Sequence, residues 1–212
     1  MATTEQQIAS LLLNIEAVKL SPEKPFVWSS GWHSPIYCDN RISLSFPEAR
    51  TIIKNALAEA IRINFPEVQA IAGVATAGIA QGVLVADLMQ LPNIYVRPEP
   101  KKHGMGNQIE GRLVPHQKIV VIEDLISTGG SSLKVVDVLR EAGAEVLGMV
   151  AIFSYGFEIA SENFRQKNVP LVCLSNYEVL IKEALRHDYV NREQTETLTE
   201  WRKNPETWVA KT

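Results

Sequence analysis

Residues 119 to 131 read Ile-Val-Val-Ile-Glu-Asp-Leu-Ile-Ser-Thr-Gly-Gly-Ser. An apolar run ends in two adjacent carboxylates and then turns through hydroxyls and glycines into an amphipathic stretch. The free N–H groups at a helix N-terminus, with their partial positive charge, form an anion site. Gly129 and Gly130 let the backbone come close to a phosphate, and Ser127, Thr128 and Ser131 add hydroxyl donors. A site for phosphate alone would avoid Glu123 and Asp124. Two acids beside it point to hydroxyls that need acceptors, or to a positive charge that develops during reaction. A ribose 5-phosphate on its way to an oxocarbenium ion presents phosphate, hydroxyls and such a charge. The plainer alternative is a capped strand-to-helix junction with no ligand. A Walker-type phosphate loop is excluded, because no Gly-Lys-Ser/Thr follows at the required spacing.

A second cluster lies between Arg97 and Gly111, where Arg97, Lys101, Lys102 and His103 fall within seven positions. A forked guanidinium, flexible ammonium groups and an imidazole suit a diphosphate; a solvated charged loop is the alternative. A third is Ala75-Thr-Ala-Gly78, between an apolar run and an amphipathic one, which reads as another anion-binding turn. His33, His116 and His187 are scattered without metal-ligand spacing and read as surface or structural.

The surrounding pattern is that of a parallel α/β protein. Helical spacing of apolar residues predicts helices over Thr3–Val18, with Thr3 or Thr4 as cap, and over Pro47–Asn64, with Ser45 as cap and Ile52, Ile53, Leu57 and Ile61 buried. Strands are expected at Val68–Val74, Asn93–Arg97, Lys118–Glu123, Val146–Phe153 and Leu171–Leu174. Helices are expected at Gly78–Gln90, Gly130–Ala142 and Glu158–Lys167, with a helical tail from Asn176 to Trp208. Runs such as Lys118-Ile-Val-Val-Ile are apolar on both faces, the mark of a sheet covered by helices on both sides. The turn-rich, aromatic stretch Ser21–Ser45 reads as short strands in a hairpin or hood. Pro98–Gln117 shows no strong periodicity; an irregular segment that long inside a domain is usually functional or disordered.

Composition bounds the rest. At 212 residues, 46% of them hydrophobic, the chain fits a single domain over 1–212. A net charge of −3 argues against a protein that coats nucleic acid. Cys38 and Cys173 suggest no disulfide framework. The polar start lacks a secretory signal, and no apolar run approaches the roughly 18 residues that span a bilayer. The expectation is a cytoplasmic protein without a membrane or nucleic-acid partner.

The segment Glu123–Ser131 resembles the phosphoribosyl pyrophosphate (PRPP) signature of the type I phosphoribosyltransferases. Within that family the chain is most similar to the orotate phosphoribosyltransferases. Ser34-Pro-Ile-Tyr-Cys-Asp-Asn-Arg41 resembles their N-terminal hood, Ile71–Gly78 their pyrophosphate loop, and Tyr95–Gly104 their mobile catalytic loop. The likeness spans about residues 8 to 190. It implies a central parallel sheet flanked by helices, a small hood formed mainly by 20–45, and a catalytic loop at 98–112. It also implies Mg²⁺-dependent transfer from PRPP to orotate, giving orotidine 5′-monophosphate and pyrophosphate, with Mg²⁺ held mainly through PRPP and no dedicated protein metal site.

Carried over residue by residue, PRPP falls to Arg97, Lys101, His103, Thr76 and the run Glu123, Asp124, Leu125, Ile126, Ser127, Thr128, Gly129, Gly130 and Ser131. Lys101, His103 and Asp124 are the catalytic set, and Lys102 matches a non-ligand position. Orotate falls to Ser127, Tyr37, Cys38 and Arg41. The likeness further implies a non-proline cis bond at Ala75–Thr76 and a homodimer whose mobile loop completes the partner's site. The chain departs at three positions. Some relatives have lysines where Ser29 and Ala77 stand and an orotate-binding arginine at Tyr155. The orotate carboxylate is then left to Arg41 or to backbone N–H groups. The rival readings are a transferase for a purine or another pyrimidine, and a PRPP-sensing regulator on the same fold.

Overall fold

In this computed structural model, residues 2–28, 31–99 and 107–209 are described. A central sheet carries the order β10-β9-β8-β5-β6-β7. All its neighbours are parallel except the edge pair β6·β7. The strands are β5 (Ala70–Val74), β6 (Asn93–Val96), β7 (Ile109–Glu110), β8 (Lys118–Ile126), β9 (Glu145–Ser154) and β10 (Leu171–Asn176). Ahead of them come α1 (Thr4–Asn14), β1 (Val18–Leu20), β2 (Phe26–Val27), β3 (His33–Ser34), β4 (Ile36–Cys38), a 3-10 helix (Asn40–Ser45) and α2 (Pro47–Asn64). The other helices are α3 (Ala77–Met89), α4 (Gly130–Glu141), α5 (Glu158–Gln166), α6 (Tyr177–Arg186) and α7 (Arg192–Lys203).

The two apolar faces of β8 feed two cores. Val120 and Ile122 pack with α1, α2, α6 and α7, while Ile119 and Val121 pack with α4 and α5. From β5 the chain runs outward to β6 and β7, then crosses to β8 and runs outward the other way. The reversal lies between β5 and β8. Their carboxyl ends therefore open the crevice in which such sheets bind ligands. The turn 75–76 leaves β5 there, and residues 127–129 leave β8 there.

Several boundaries differ from expectation. The first helix stops at Asn14, and Val18 opens a strand instead. Thr3 caps it through a capping box with Gln6. At α2, Phe46 is the N-cap and makes no side-chain cap bond. Ser45 is not the cap, because Pro47 at the first helical position presets the turn. Ile52 is 44% exposed, and Ala49 and Ala58 complete the buried stripe in its place. Strand β8 runs on to Ile126, which puts the acid pair inside a strand rather than at its end. The stretch without periodicity contains β7, too short for two-residue alternation to register. The hood consists of two two-stranded sheets and the 3-10 helix, and the helical tail is broken into α6 and α7. Among the described residues no helix is long and apolar enough to cross a membrane. Both cysteines are free thiols.

Candidate active site

The acid pair sits where β8 outruns β5. The register of the two strands stops at Gly73↔Ile122, while β8 continues beside β9 through Glu123↔Ala151 to Ile126↔Ser154. Beyond Ile122 the β5 side of β8 is therefore open to the crevice. Glu123 turns inward and is 6% exposed. It accepts from Ser132 Oγ at 2.8 Å and from the Asp124 N–H at 3.0 Å. Burial first, and then the Asp124 charge, pushes its carboxyl up to about 8. Burial raises Asp124 as well, against the pull of the Arg41 charge. The two acids are unequal. Glu123 is occupied by donors within the fold, and burial raises both carboxyls.

After Ile126 the chain turns through Ser127 and Thr128 to Gly129, whose φ of +77° begins α4. A Cβ at Gly129 would stand 2.6 Å from Cε2 of Phe164, so both conformation and space demand glycine there. Asn163 Nδ2 on α5 donates to the Thr128 carbonyl at 2.9 Å and pins the turn from behind. The first turn of α4 thus faces the crevice with free N–H groups, as an anion site requires. Across the switch point, the Ala75–Thr76 bond is cis. Close packing explains Gly78: a Cβ there would lie 2.5 Å from the carbonyl oxygen of Ile122. Helix α3 thereby starts hard against β8, beside the acid pair.

Arg97 stands at the foot of the cationic segment. Its N–H donates to Gln108 O at 2.9 Å, and its Nη1 lies 3.8 Å from Glu110 Oε1. The β6·β7 pair holds the two ends of that segment together. Lys101 and His103, expected as pyrophosphate ligands, and Lys102, expected as a non-ligand, lie outside the described residues, as does Ser29.

Beside the signature turn opens a cavity of about 660 Å³, walled by Trp28, Trp32, Tyr37, Cys38, Ser127 and Tyr155, among others. It brings together three of the four residues expected to meet the base, Tyr37, Cys38 and Ser127. Tyr37 is 43% exposed and offers an aromatic face. The Cys38 thiol is raised by burial and stays protonated. Arg41 is not among the lining residues. Its Nε and Nη2 grip the Asp39 carboxylate at 2.7 and 2.8 Å. Tyr155 is 2% exposed and stacks on Phe157, with Trp28 and Trp201 against it at centroid distances of 5.0 and 5.9 Å.

Sequence reasoning passed over Trp201 altogether. It is fully buried, and its Nε1 donates to the His33 carbonyl at 3.1 Å, tying α7 to the hood. Nothing in its neighbourhood of charged residues gives that away. Asn40 was legible only as part of a hood resemblance, yet its amide bonds the main chain of Asp124. Among the described residues no three metal-ligating side chains come together. The crevice offers hard oxygen donors, the Asp124 carboxylate and the serine and threonine hydroxyls.

The comparisons agree with this geometry. The model of the phosphoribosyl transferase domain matches residues 42–182. The orotate phosphoribosyltransferase of Cytophaga hutchinsonii is 60% identical over 203 residues, covering 96% of this chain and 97% of that one. That of Porphyromonas gingivalis is 56% identical over 208 residues, covering 98% and 99%. The crystal structure of orotate phosphoribosyltransferase from Aeropyrum pernix superposes with a TM-score of 0.76 at 29% identity, covering 87% of this chain and 99% of that one. With nearly full-length identity of this order joined to the same sheet and crevice, the chain belongs to the phosphoribosyltransferase family, among its orotate phosphoribosyltransferases.

Proposed function

We propose that the chain transfers ribose 5-phosphate from PRPP to orotate, forming orotidine 5′-monophosphate and pyrophosphate. The observation that carries this reading is the joining of two unlike surfaces at the β5/β8 switch. A polar, acid-bearing turn suits a ribose phosphate, and an aromatic cavity beside it suits a flat base.

Ser127, Thr128, Gly129, Gly130 and Ser131 hold the 5-phosphate through hydroxyls and the N-terminal N–H groups of α4, with Leu125 and Ile126 setting the turn. The bond from C1 to the diphosphate oxygen breaks early, and its electron pair leaves with pyrophosphate. Arg97, Lys101 and His103 donate to the departing oxygens, and the Thr76 turn lies alongside them. Asp124 faces the ribose and stabilises the cationic ring, with Glu123 fixing the strand behind it. The ring nitrogen of orotate, which ionises readily and gives its proton to solvent, then bonds C1. The Asp124 carboxylate and the serine and threonine hydroxyls of the crevice are oxygen donors that would suit Mg²⁺ carried in by PRPP, and when bound it would supply charge neutralisation to the diphosphate. We further propose a cytoplasmic homodimer in which the 98–112 segment serves the partner's site, with no nucleic-acid or membrane partner.

One observation favours a second reading, a neutral base: no cation lines the cavity among the described residues. Turnover with orotate, uracil, hypoxanthine, adenine and xanthine, each with PRPP and Mg²⁺, separates the two. Orotate should be used and uracil rejected; equal use of uracil would remove orotate from the account. The shared site has its own test. Lys101→Ala and Asp124→Asn, each nearly inactive, are mixed and allowed to exchange subunits. Each heterodimer then has one site with both lesions and one with neither, so activity should return toward half of wild type per heterodimer. Confirmed exchange without recovery would place the loop in its own chain's site.

A further inference from the structure

Behind the acid pair runs a buried polar chain that the reaction as set out does not use. Asn40 opens the 3-10 helix and is 1% exposed. Its Nδ2 donates to the main-chain carbonyl of Asp124 at 2.7 Å. Its Oδ1 accepts from Cys38 Sγ at 3.4 Å, on the wall of the aromatic cavity. Its own carbonyl accepts from Ser43 Oγ at 2.6 Å. Ser43, fully buried, in turn accepts from Gln81 Nε2 at 3.3 Å, and Gln81 is a 1% exposed residue of α3. The Asn40 side chain thus joins the cavity wall to the acid pair, and its main-chain carbonyl is linked through Ser43 to the helix that begins at the 75–78 turn.

The place of the Asp124 contact explains why an amide stands there. The pairing of β8 with β5 ends at Ile122, so the β5 side of Asp124 has no strand to complete its ladder. Asn40 supplies the missing donor. A carboxamide is the neutral side chain that donates from one end and accepts at the other. An apolar residue would leave both the Asp124 carbonyl and the Cys38 thiol without partners in a buried setting, where the loss is felt most.

We infer that Asn40 is a positioning residue for the transfer: it holds the Asp124 main chain, and with it the carboxylate, in fixed register with the base cavity at Cys38. The inference rests on the reading of Asp124 as the group that faces the ribose.

The test compares Asn40→Asp, Asn40→Ser, Ser43→Ala and Asp124→Asn by steady-state kinetics in both substrates, normalised to folded protein. Asn40→Asp keeps size and acceptor but lacks the donor. Its kcat should fall about 10- to 100-fold, the range for losing an orienting partner behind a working group, while its KM for PRPP shifts less than about threefold. Asn40→Ser loses the acceptor too, so its KM for orotate should rise as well. A purely structural Asn40 would lower Tm and leave kcat per folded site unchanged. Wild-type kcat in both folded Asn40 variants would therefore overturn the inference. Where a buried substitution at 40 prevents folding, Ser43→Ala decides. Lower kcat with unchanged PRPP KM supports the inference, and wild-type kinetics overturns it. Asp124→Asn keeps the two claims apart. If it is fully active, the reading of Asp124 fails. If it is inactive beside fully active Asn40 variants, only the positioning role fails.

Discussion

The two walls of the crevice are built in opposite ways. The ribose-phosphate wall is nine consecutive residues, Glu123–Ser131, that continue the buried run 119–123 of β8. The base wall is gathered from residues 27, 28, 32, 37 and 38 of the hood, from Tyr155, and from 125, 127 and 128, which it shares with the first wall, with Trp201 of α7 packed behind. A phosphate and a developing cation are met by backbone N–H groups and a fixed charge, which contiguous chain supplies best. A flat base is met by surfaces, and surfaces can come from anywhere in the fold. The first wall sits on paired strands; the second hangs on strands of two or three residues and holds its shape by ring packing.

If that division of labour is right, damage to each wall has its own signature. The largest effect is expected at Asp124. Asp124→Asn should lower kcat by about 10- to 1,000-fold, the scale of one preorganised electrostatic contact. Tm should hold, since burial already works against the charge at that site. A folded Asp124→Asn enzyme with wild-type kcat would erase the distinction between the walls. The next effect is expected at Tyr37, whose exposed ring is not needed for the core. Tyr37→Ala should raise the KM for orotate about 10-fold, as loss of one stacking face does, and leave the KM for PRPP in place. A rise in both constants would show that the walls are not separable.

A third effect, on stability rather than on turnover, concerns Glu123. Its folded carboxyl titrates at about 8 against an ordinary 4.5. The folded protein therefore keeps a proton that the unfolded chain releases, and rising pH costs stability between about 4.5 and 8. Glu123→Gln removes that slope. Thermal melts across the window should show the variant gaining on wild type as pH rises. A constant difference in Tm would mean that the buried carboxyl carries no such cost.

The same contrast explains what was legible in the sequence. The strand expected at Lys118–Glu123 and the helix expected from Gly130 announce themselves, because a doubly buried strand, a glycine turn and an amphipathic helix each leave a local pattern. Gly78 and Gly129 were readable as parts of anion-binding turns, but the contacts with Ile122 and Phe164 that demand glycine there were not. The inward turn of Glu123 was not, since its partner Ser132 looks like any other helix-start serine. Trp201 was invisible because its meaning lies in contacts with residues 28, 155 and 177, which no spacing records. Arg41, expected to meet the base, is held by its neighbour Asp39, a pairing that its place in the hood does not announce.

The central claim is that separate walls hold the ribose phosphate and the base. Equilibrium titration of the Tyr37→Ala protein tests it most directly, with PRPP alone and then with orotate in the presence of pyrophosphate and Mg²⁺. The account predicts wild-type affinity for PRPP and about 10-fold weaker affinity for orotate. Weakened PRPP binding with orotate binding unchanged would contradict it.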